Sequence, residues 1–389
     1  MDEKASGIAG EARAARDDDH LRVAHLDADA FYVAIELSRR PELCGRPVIV
    51  AGSGPRAVVT TASYEARRFG VGSAMPAARA RRLCPEAVSI PPDFATYRAV
   101  SRRLMDMVRA HVETVEVVGL DEAYLDLAGL HSPRAAMRRL VVEIKRTLGL
   151  SCSVGIGPNK LVAKVASDAE KPAGFVVLTR AQACERFAAA PPAIVPGIGP
   201  KTAARLSELG LTTLAALGAA REQLLVDRFG ANHGRDLGRR ARFEHHGVVG
   251  AAHENVSESR ERTFDRDIGD HRQLEERLER LARELCDSLA AHGRSGRTIG
   301  IKVRLDDFTT VTRARTLAQP TCDGDLVSAT ALELLRAYAP ARPVRLLGVR
   351  VAGFSGGQTR PAGADAAAQD GERYAKAASD QLQLPVGAQ

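Results

Sequence analysis

Hydrophobic residues along this chain fall into short runs of strand length, separated by longer stretches in which apolar positions recur every three or four residues. The short runs at 22–26, 47–50, 57–61, 114–118, 123–127 and 151–156 predict strands. The amphipathic stretches at 76–83, 97–114 and 132–148 predict helices between them. Strands interleaved with helices imply an α/β region with a mixed sheet. From 191 to about 245 the pattern changes to short helices broken by glycine, and from about 247 a long helix at 272–292 precedes a strand-rich stretch at 297–317. The first 20 and the last 33 residues lack apolar periodicity and read as flexible ends, leaving a folded region of roughly 21–356 without an internal repeat.

The length, 389 residues, suggests two or three domains. With 45% hydrophobic and 26% charged residues, each domain has material for its own core. No apolar run approaches the ~20 residues of a membrane span, and the acidic start lacks the features of a signal peptide, so a cytoplasmic protein with no membrane partner is expected. Six cysteines, at 44, 84, 152, 184, 286 and 322, form no C-x-x-C pair, which argues against a zinc ribbon or a disulfide framework. The net charge of +7 is concentrated in the folded body: 186–245 carries +4 whereas the first 20 residues carry −3. That distribution favours an anionic partner. Aromatic residues amount to 4% with no Trp, too few for a single-strand stacking surface, so contact with a duplex backbone is the better expectation.

Within this frame a few residues carry chemistry. Asp27 and Asp29 end the first strand at positions i and i+2, which share a face. Asp121 and Glu122 stand side by side at a turn between two later strands. Either pair alone reads as solvated surface acid. Together, carboxylates from two strand ends suit a pair of hard divalent ions that lower the barrier of an in-line phosphoryl displacement. The string Val195-Pro196-Gly197-Ile198-Gly199-Pro200-Lys201, followed by an apolar helix, is a helix-hairpin-helix signature: Gly197 and Gly199 let backbone N–H groups approach a DNA phosphate, with Lys201 beside them. It reads backbone rather than base sequence. The segment 294–317 carries a net +4, including Lys302, Arg304, Arg313 and Arg315, and strand alternation puts Lys302 and Arg304 on one face; a solvated sheet is the plainer reading. Tyr64-Glu65-Ala66-Arg67 alone would be an ordinary amphipathic helix start. Three of the eight lysines fall between 160 and 171. Gly155-Ile156-Gly157 is neither a dinucleotide fingerprint nor a P-loop.

The strings H-L-D-A-D-A-F-Y-V-A-I-E, T-T-A-S-Y-E-A-R-R-F-G-V-G-S-A-M-P, G-L-D-E-A-Y-L-D-L, G-I-G-P-N-K-L-V-A-K-V-A-S-D-A-E-K-P-A-G, V-P-G-I-G-P-K-T-A-A-R-L and R-T-F-D-R-D-I, in that order, resemble the Y-family translesion DNA polymerases over about 22–352. The resemblance implies a right-hand polymerase: palm from 21–37 and 96–185, fingers at 38–95, helix-hairpin-helix thumb at 186–245, and an α+β little finger at 246–356 that grips duplex DNA. The ends, 1–20 and 357–389, lie outside these domains. By the same resemblance Asp27, Asp121 and Glu122 are the catalytic metal ligands, aided by the Ala28 carbonyl, while Asp29 is not a principal ligand. The ions are two Mg²⁺, with Mn²⁺ as the other candidate. Tyr64, Arg67 and Lys171, with Thr61, hold the incoming dNTP. Tyr32 is the steric gate against a ribose 2′-hydroxyl, Phe31 packs in the core, and Ser73 and Ala74 roof the templating base. Gln381, Leu382 and Leu384, in a Q-L-Q-L-P-V string near the C-terminus, resemble a sliding-clamp docking peptide. The expected partners are primer-template DNA, dNTP and the clamp, and the expected state is a monomer. Two rival readings are a non-catalytic DNA- and clamp-binding adaptor on the same fold, against which the intact acids argue, and a helix-hairpin-helix nuclease.

Overall fold

The computed structural model describes residues 21–251 and 255–354. They group into two compact units, 21–52 with 58–251 and 53–57 with 255–354.

In the first unit the strands are β1 Val23–Ala28, β2 Val48–Ala51, β3 Val59–Ala62, β4 Val88–Ile90, β5 Val115–Val117, β6 Glu122–Asp126, β7 Cys152–Gly157 and β8 Phe175–Val177. The helices around them are α1 Phe31–Arg39, α2 Tyr64–Arg67, α3 Ala77–Leu83, α4 Phe94–His111, α5 Pro133–Leu148 and α6 Lys160–Asp168. A five-stranded sheet runs β5-β6-β1-β7-β8, and a three-stranded one β3-β2-β4. Central β1 pairs antiparallel with β6 on one side and β7 on the other.

Both faces of β1 are covered, which is why it reads as an almost unbroken apolar run instead of an alternating one. Ala24, Leu26 and Ala28 join the large core with Leu104 of α4 and Met137 and Leu140 of α5. On the opposite face Val23 packs with Ala163 of α6, and His25 reaches Ser167 of α6. Odd positions of β1 therefore face α6, and even positions face α4 and α5. A Cβ on Gly155 of β7 would fall 2.1 Å from the Ala163 carbonyl oxygen, so the close approach of α6 to the sheet requires glycine there.

Local sequence sets the helix ends. Asp93 accepts a hydrogen bond from the Thr96 N–H at 3.1 Å and starts α4 three residues before the apolar periodicity does. Pro133 opens α5, and Gly149, at φ +71°, ends it. Asn159 accepts from the Val162 N–H and fixes the start of α6. Beyond β8 come α7 Arg180–Arg186, α8 Pro200–Ser207, α9 Leu214–Ala219, α10 Glu222–Phe229 and α11 Ala231–Ala241. Their apolar faces, with Leu206, Leu217, Leu225 and Leu237, share a core with Leu161, Val162 and Val165 of α6.

The second unit is an antiparallel sheet of order β11-β10-β12-β9, with β9 Ser257–Ile268, β10 Gly296–Leu305, β11 Thr310–Thr321 and β12 Val344–Phe354. Helices α12 His271–Ala291 and α13 Gly324–Tyr338 cover one face. Leu274, Leu278, Leu281 and Leu285 meet Ile299, Ile301, Val303 and Val349 there. This is the mixed α/β, multidomain architecture that the sequence pattern implies. The short strands β4 and β8, the edge strand β9, and the α13–β12 pair were not among the expected elements.

Candidate active site

In the β1–β6 register Asp27 stands opposite Glu122. The turn before β6 is tied to β1 by a hydrogen bond from the Ala28 N–H to the Asp121 carbonyl, 2.9 Å, which brings Asp121 beside the strand end. Because Asp27 is an odd position, it projects on the α6 side, and α6 supplies the counter-charge. Lys164 Nζ lies 2.8 Å from Glu122 Oε2 and 3.4 Å from Asp27 Oδ2. Lys171 Nζ lies 2.7 Å from Asp27 Oδ2 and 2.8 Å from Asp168 Oδ1.

The electrostatics separate the acids. Burial, reinforced by Asp27 and then Glu122, pushes the Asp121 carboxyl up to about 8. Burial also opposes ionisation of Glu122, but the adjoining His25 imidazole and the Lys164 charge outweigh it and hold this carboxyl well below the usual range. For Lys164 burial works against the charged form, and Glu122 and Asp27 more than offset it, raising the ammonium above its ordinary value.

His25 was not singled out in the sequence. It is fully buried, with Nδ1 2.8 Å from Ser167 Oγ and Nε2 3.2 Å from Glu122 Oε2, a contact off the line of a well-formed hydrogen bond. Burial lowers its pKa, against the opposing pull of Glu122. Its parity in β1, two residues before Asp27, was the available signal. Donor atoms of His25, Asp27 and Glu122 lie within 4.8 Å of one another, and Asp121 lines the same cleft as Asp27. Three oxygen-donor acids, with an orphaned imidazole nitrogen behind one of them, fit a hard divalent cation.

One polar cleft is lined by Asp27, Ala28, Asp121, Thr61, Tyr64, Arg67, Lys171, Tyr32 and Ser73. The structure thus brings every residue expected to hold a nucleotide to the edge of the acid cluster. Ser63 caps α2 by accepting from the Ala66 N–H at 3.3 Å, and this aims Tyr64 and Arg67 into the cleft. The Arg67 guanidinium lies 4.6 Å from the Tyr64 ring centroid, and its Nε donates to the Ala62 carbonyl. Tyr32 is 3% exposed, its ring 4.8 Å from Tyr97 and 6.0 Å from Phe94. Phe31 is 1% exposed, as expected of a core residue. Asp29 also borders the cleft but turns aside toward Ser153 and Ala173.

The remaining candidates lie elsewhere. Gly197, at φ +90°, makes the bend before α8, and Gly199 is the residue that precedes its first turn. Arg240 donates to the Pro196 carbonyl at 2.7 Å and braces the bend, while Lys201 is exposed on α8. In the second unit Lys302 and Arg304 share the sheet face away from the helices, where Lys302 pairs with Glu261 at 3.0 Å and Arg304 donates to Thr310 at 2.9 Å. Register pairs Arg313 with Ile301 and Arg315 with Ile299, so these two arginines lie on the helix side, against Tyr338 and Glu333. The four basic residues therefore do not form one surface. Gln381, Leu382 and Leu384 lie outside the described residues.

Residues 26–168 match the model of the impB/mucB/samB family, and 256–365 match the model of the C-terminal domain of that family. Among solved structures, the Y-family DNA polymerase chimera Dbh-Dpo4(243-245)-Dbh matches with a TM-score of 0.75 at 26% identity, covering 85% of this chain and 98% of that one. An insertion ternary complex of Dbh DNA polymerase matches with a TM-score of 0.60 at 25% identity and the same coverage. The chain belongs to the Y-family DNA polymerases. Its relatives there are named DNA polymerase IV. That of Caulobacter vibrioides is 40% identical over 375 residues, 95% of this chain and 92% of that protein. That of Methanoculleus marisnigri is 39% identical over 350 residues, 88% of this chain and 97% of that protein.

Proposed function

We propose that this chain is a template-directed, low-fidelity DNA polymerase of translesion synthesis, which adds deoxynucleotides to a primer 3′ end and releases pyrophosphate. The observation that carries this reading is the meeting of Asp27 and Asp121 with Tyr64, Arg67 and Lys171 around one cleft, with Glu122 opposite Asp27 in the neighbouring strand. Acids alone would suit many hydrolases. Acids beside a fork-shaped Arg and a Lys, at the edge of a site that also presents a buried Tyr, suit a triphosphate whose sugar lies over that ring.

Asp27, Asp121 and Glu122, with the Ala28 carbonyl, are the groups that would hold two divalent ions, Mg²⁺ or Mn²⁺. Such ions lower the pKa of an attacking hydroxyl and stabilise a departing phosphate. The chain's own residues do the rest. Lys171 and Arg67 bind the triphosphate, Tyr64 and Thr61 orient it, and Tyr32 excludes a 2′-hydroxyl. His25 holds Glu122 toward the site, as a buried imidazole behind a carboxylate ligand does elsewhere. We assign the five-stranded sheet with α4–α6 as palm, 38–95 as fingers, 186–245 as thumb and the second unit as little finger, each duplex contact being to backbone. Among the described residues no helix is long and apolar enough to cross a membrane. The retained acids count against an adaptor role. A monomer acting on primer-template DNA, tethered to a sliding clamp by 381–386, completes the reading.

Primer extension by the purified chain on undamaged and lesion-bearing templates, with Mg²⁺ or Mn²⁺, tests it. Extension that requires all four bases of the template to be matched by added dNTPs supports the proposal. Failure to extend with either ion, or shortening of the primer, overturns it.

A further inference from the structure

Asp27 lies near the end of the first strand and Asp29 just past it, and only Asp27 faces the metal-binding group. Asp29 is 5% exposed, and a carboxylate that deep needs its acceptor positions filled. They are filled from three different elements. Oδ1 accepts from the Ser153 hydroxyl of β7 at 2.7 Å and, more loosely, from the Tyr64 hydroxyl of α2 at 3.4 Å. Oδ2 accepts from the Ala173 N–H at 2.9 Å. Ser153 Oγ in turn accepts from the Gly174 N–H at 3.2 Å. Asp29 and Ser153 together therefore hold both backbone donors at the tip of the turn between α6 and β8.

That turn has an intrinsic reason to need holding. Ala173 has φ +58°, the left-handed region that a residue with a Cβ avoids unless its surroundings impose it. Gly174 cannot relieve the turn by carrying a side chain, because a Cβ there would lie 2.6 Å from the Glu170 carbonyl oxygen. Lys171 begins the same turn, and its ammonium bridges Asp27 and Asp168. The Asp29 carboxylate thus ties Tyr64, from residue 64, to the turn of Lys171, more than a hundred residues later, across the end of β1.

We propose that Asp29 is a positioning residue for the incoming nucleotide: it sets the Lys171 turn and the Tyr64 hydroxyl relative to the metal-binding acids without itself holding metal. This rests on the reading of the cleft as a dNTP site. It assigns the two acids at the end of β1 different tasks, Asp27 toward the cation and Asp29 toward the groups that grip the triphosphate. The charge of Asp29 is met by the Ser153 and Tyr64 hydroxyls and the Ala173 N–H, none of which belongs to Arg67 or Lys171.

The test compares wild type with Asp29→Ala, Asp29→Asn and Ser153→Ala in steady-state single-nucleotide incorporation, with two further readouts. One is Mn²⁺ binding in the absence of nucleotide, followed by electron paramagnetic resonance. The other is dNTP binding to the enzyme–DNA complex in Ca²⁺. For Asp29→Ala we expect the dNTP KM to rise about tenfold, with kcat within about threefold and a matching loss in Ca²⁺-supported dNTP affinity, the effect of removing two or three positioning hydrogen bonds. Mn²⁺ affinity should not change. Ser153→Ala should move KM the same way by about threefold, since one arm of the network remains. If Asp29→Ala does not fold, Asp29→Asn decides. Its carboxamide keeps the size but offers one acceptor for three donors, so KM should still rise at least about threefold. Weakened Mn²⁺ binding with a fall in kcat and an unchanged KM makes Asp29 a metal ligand and overturns the proposal. Unchanged KM and kcat in a folded Asp29→Ala or Asp29→Asn variant overturns it as well. A wild-type enzyme that extends no primer rejects the polymerase reading itself, whereas an active wild type with indifferent Asp29 variants rejects only this inference.

Discussion

Asp121 sits where burial and two neighbouring carboxylates oppose its ionisation, and a divalent cation held there would favour its charged form. Replacing it by Ala removes a proposed metal ligand while leaving Arg67 and Lys171 of the cleft in place. Incorporation by Asp121→Ala should fall by at least about 10³-fold, a loss of about 4 kcal/mol of transition-state stabilisation. Primer-template affinity, read by fluorescence anisotropy, should stay within about twofold of wild type. Tyr32 and Phe31 are adjacent and similarly buried, yet they make different predictions. The Tyr32 ring borders the cleft, so Tyr32→Ala should raise ribonucleotide use relative to dNTP by roughly 10–10²-fold in competitive single-turnover incorporation. Phe31 also borders the cleft but packs into the core of the first unit, so Phe31→Ala should cost ~3–5 kcal/mol in chemical denaturation. Equal sugar discrimination in Tyr32→Ala and wild type removes the gate assignment.

At the level of elements, the two glycines of the hairpin before α8 separate fold from binding. Gly197 needs its positive φ, and a Cβ there would also meet Arg240 Nη1 at 2.8 Å, so Gly197→Ala should lower stability by about 1 kcal/mol or more. Gly199 has φ −79° and open space around a Cβ. Gly199→Ala should therefore melt like wild type yet bind primer-template several-fold more weakly, if its bareness exists to admit a phosphate. Equal binding would leave the hairpin as a helix connection only. The same elements show what was legible in advance. Strands buried on both faces, such as β1 and β7, announce themselves as apolar runs, and capped amphipathic helices such as α5 do so by periodicity. Strand β9 does not, because its sequence S-E-S-R-E-R-T-F-D-R-D-I is an edge strand with few apolar positions, and a charged strand has the pattern of a loop. The residues that line the cleft were readable as candidates because each belongs to a contiguous motif. For His25 and Lys164 the sequence offered only strand parity and a cluster of lysines at 160–171, because what makes them matter is α6 folding back over β1, a tertiary fact.

At the largest scale, the residues proposed for catalysis lie in the first unit, while contacts proposed for duplex DNA are spread over the hairpin and the second unit. Affinity for DNA and turnover should accordingly respond to different substitutions. The proposed clamp peptide adds a third, separable term, since tethering raises local concentration without touching the reaction. Deleting residues 381–389 should leave distributive extension of short primer-templates unchanged and abolish only the stimulation given by the cognate clamp loaded on the same DNA. A truncated enzyme stimulated as strongly as the full chain places any clamp contact in the folded domains. The alternation along β1 has a further consequence, expressed in the gene. Losing one codon between 23 and 26 shifts Asp27 by one place, and the whole strand then exchanges faces. The acid would enter the α4–α5 core while an apolar neighbour turned toward α6 and Lys164, so a three-base deletion there should be about as damaging as a frameshift. The same deletion among the first 20 codons should pass without effect on extension, and a library of single-codon deletions scored for polymerase activity should show its sharpest boundary at the start of this strand.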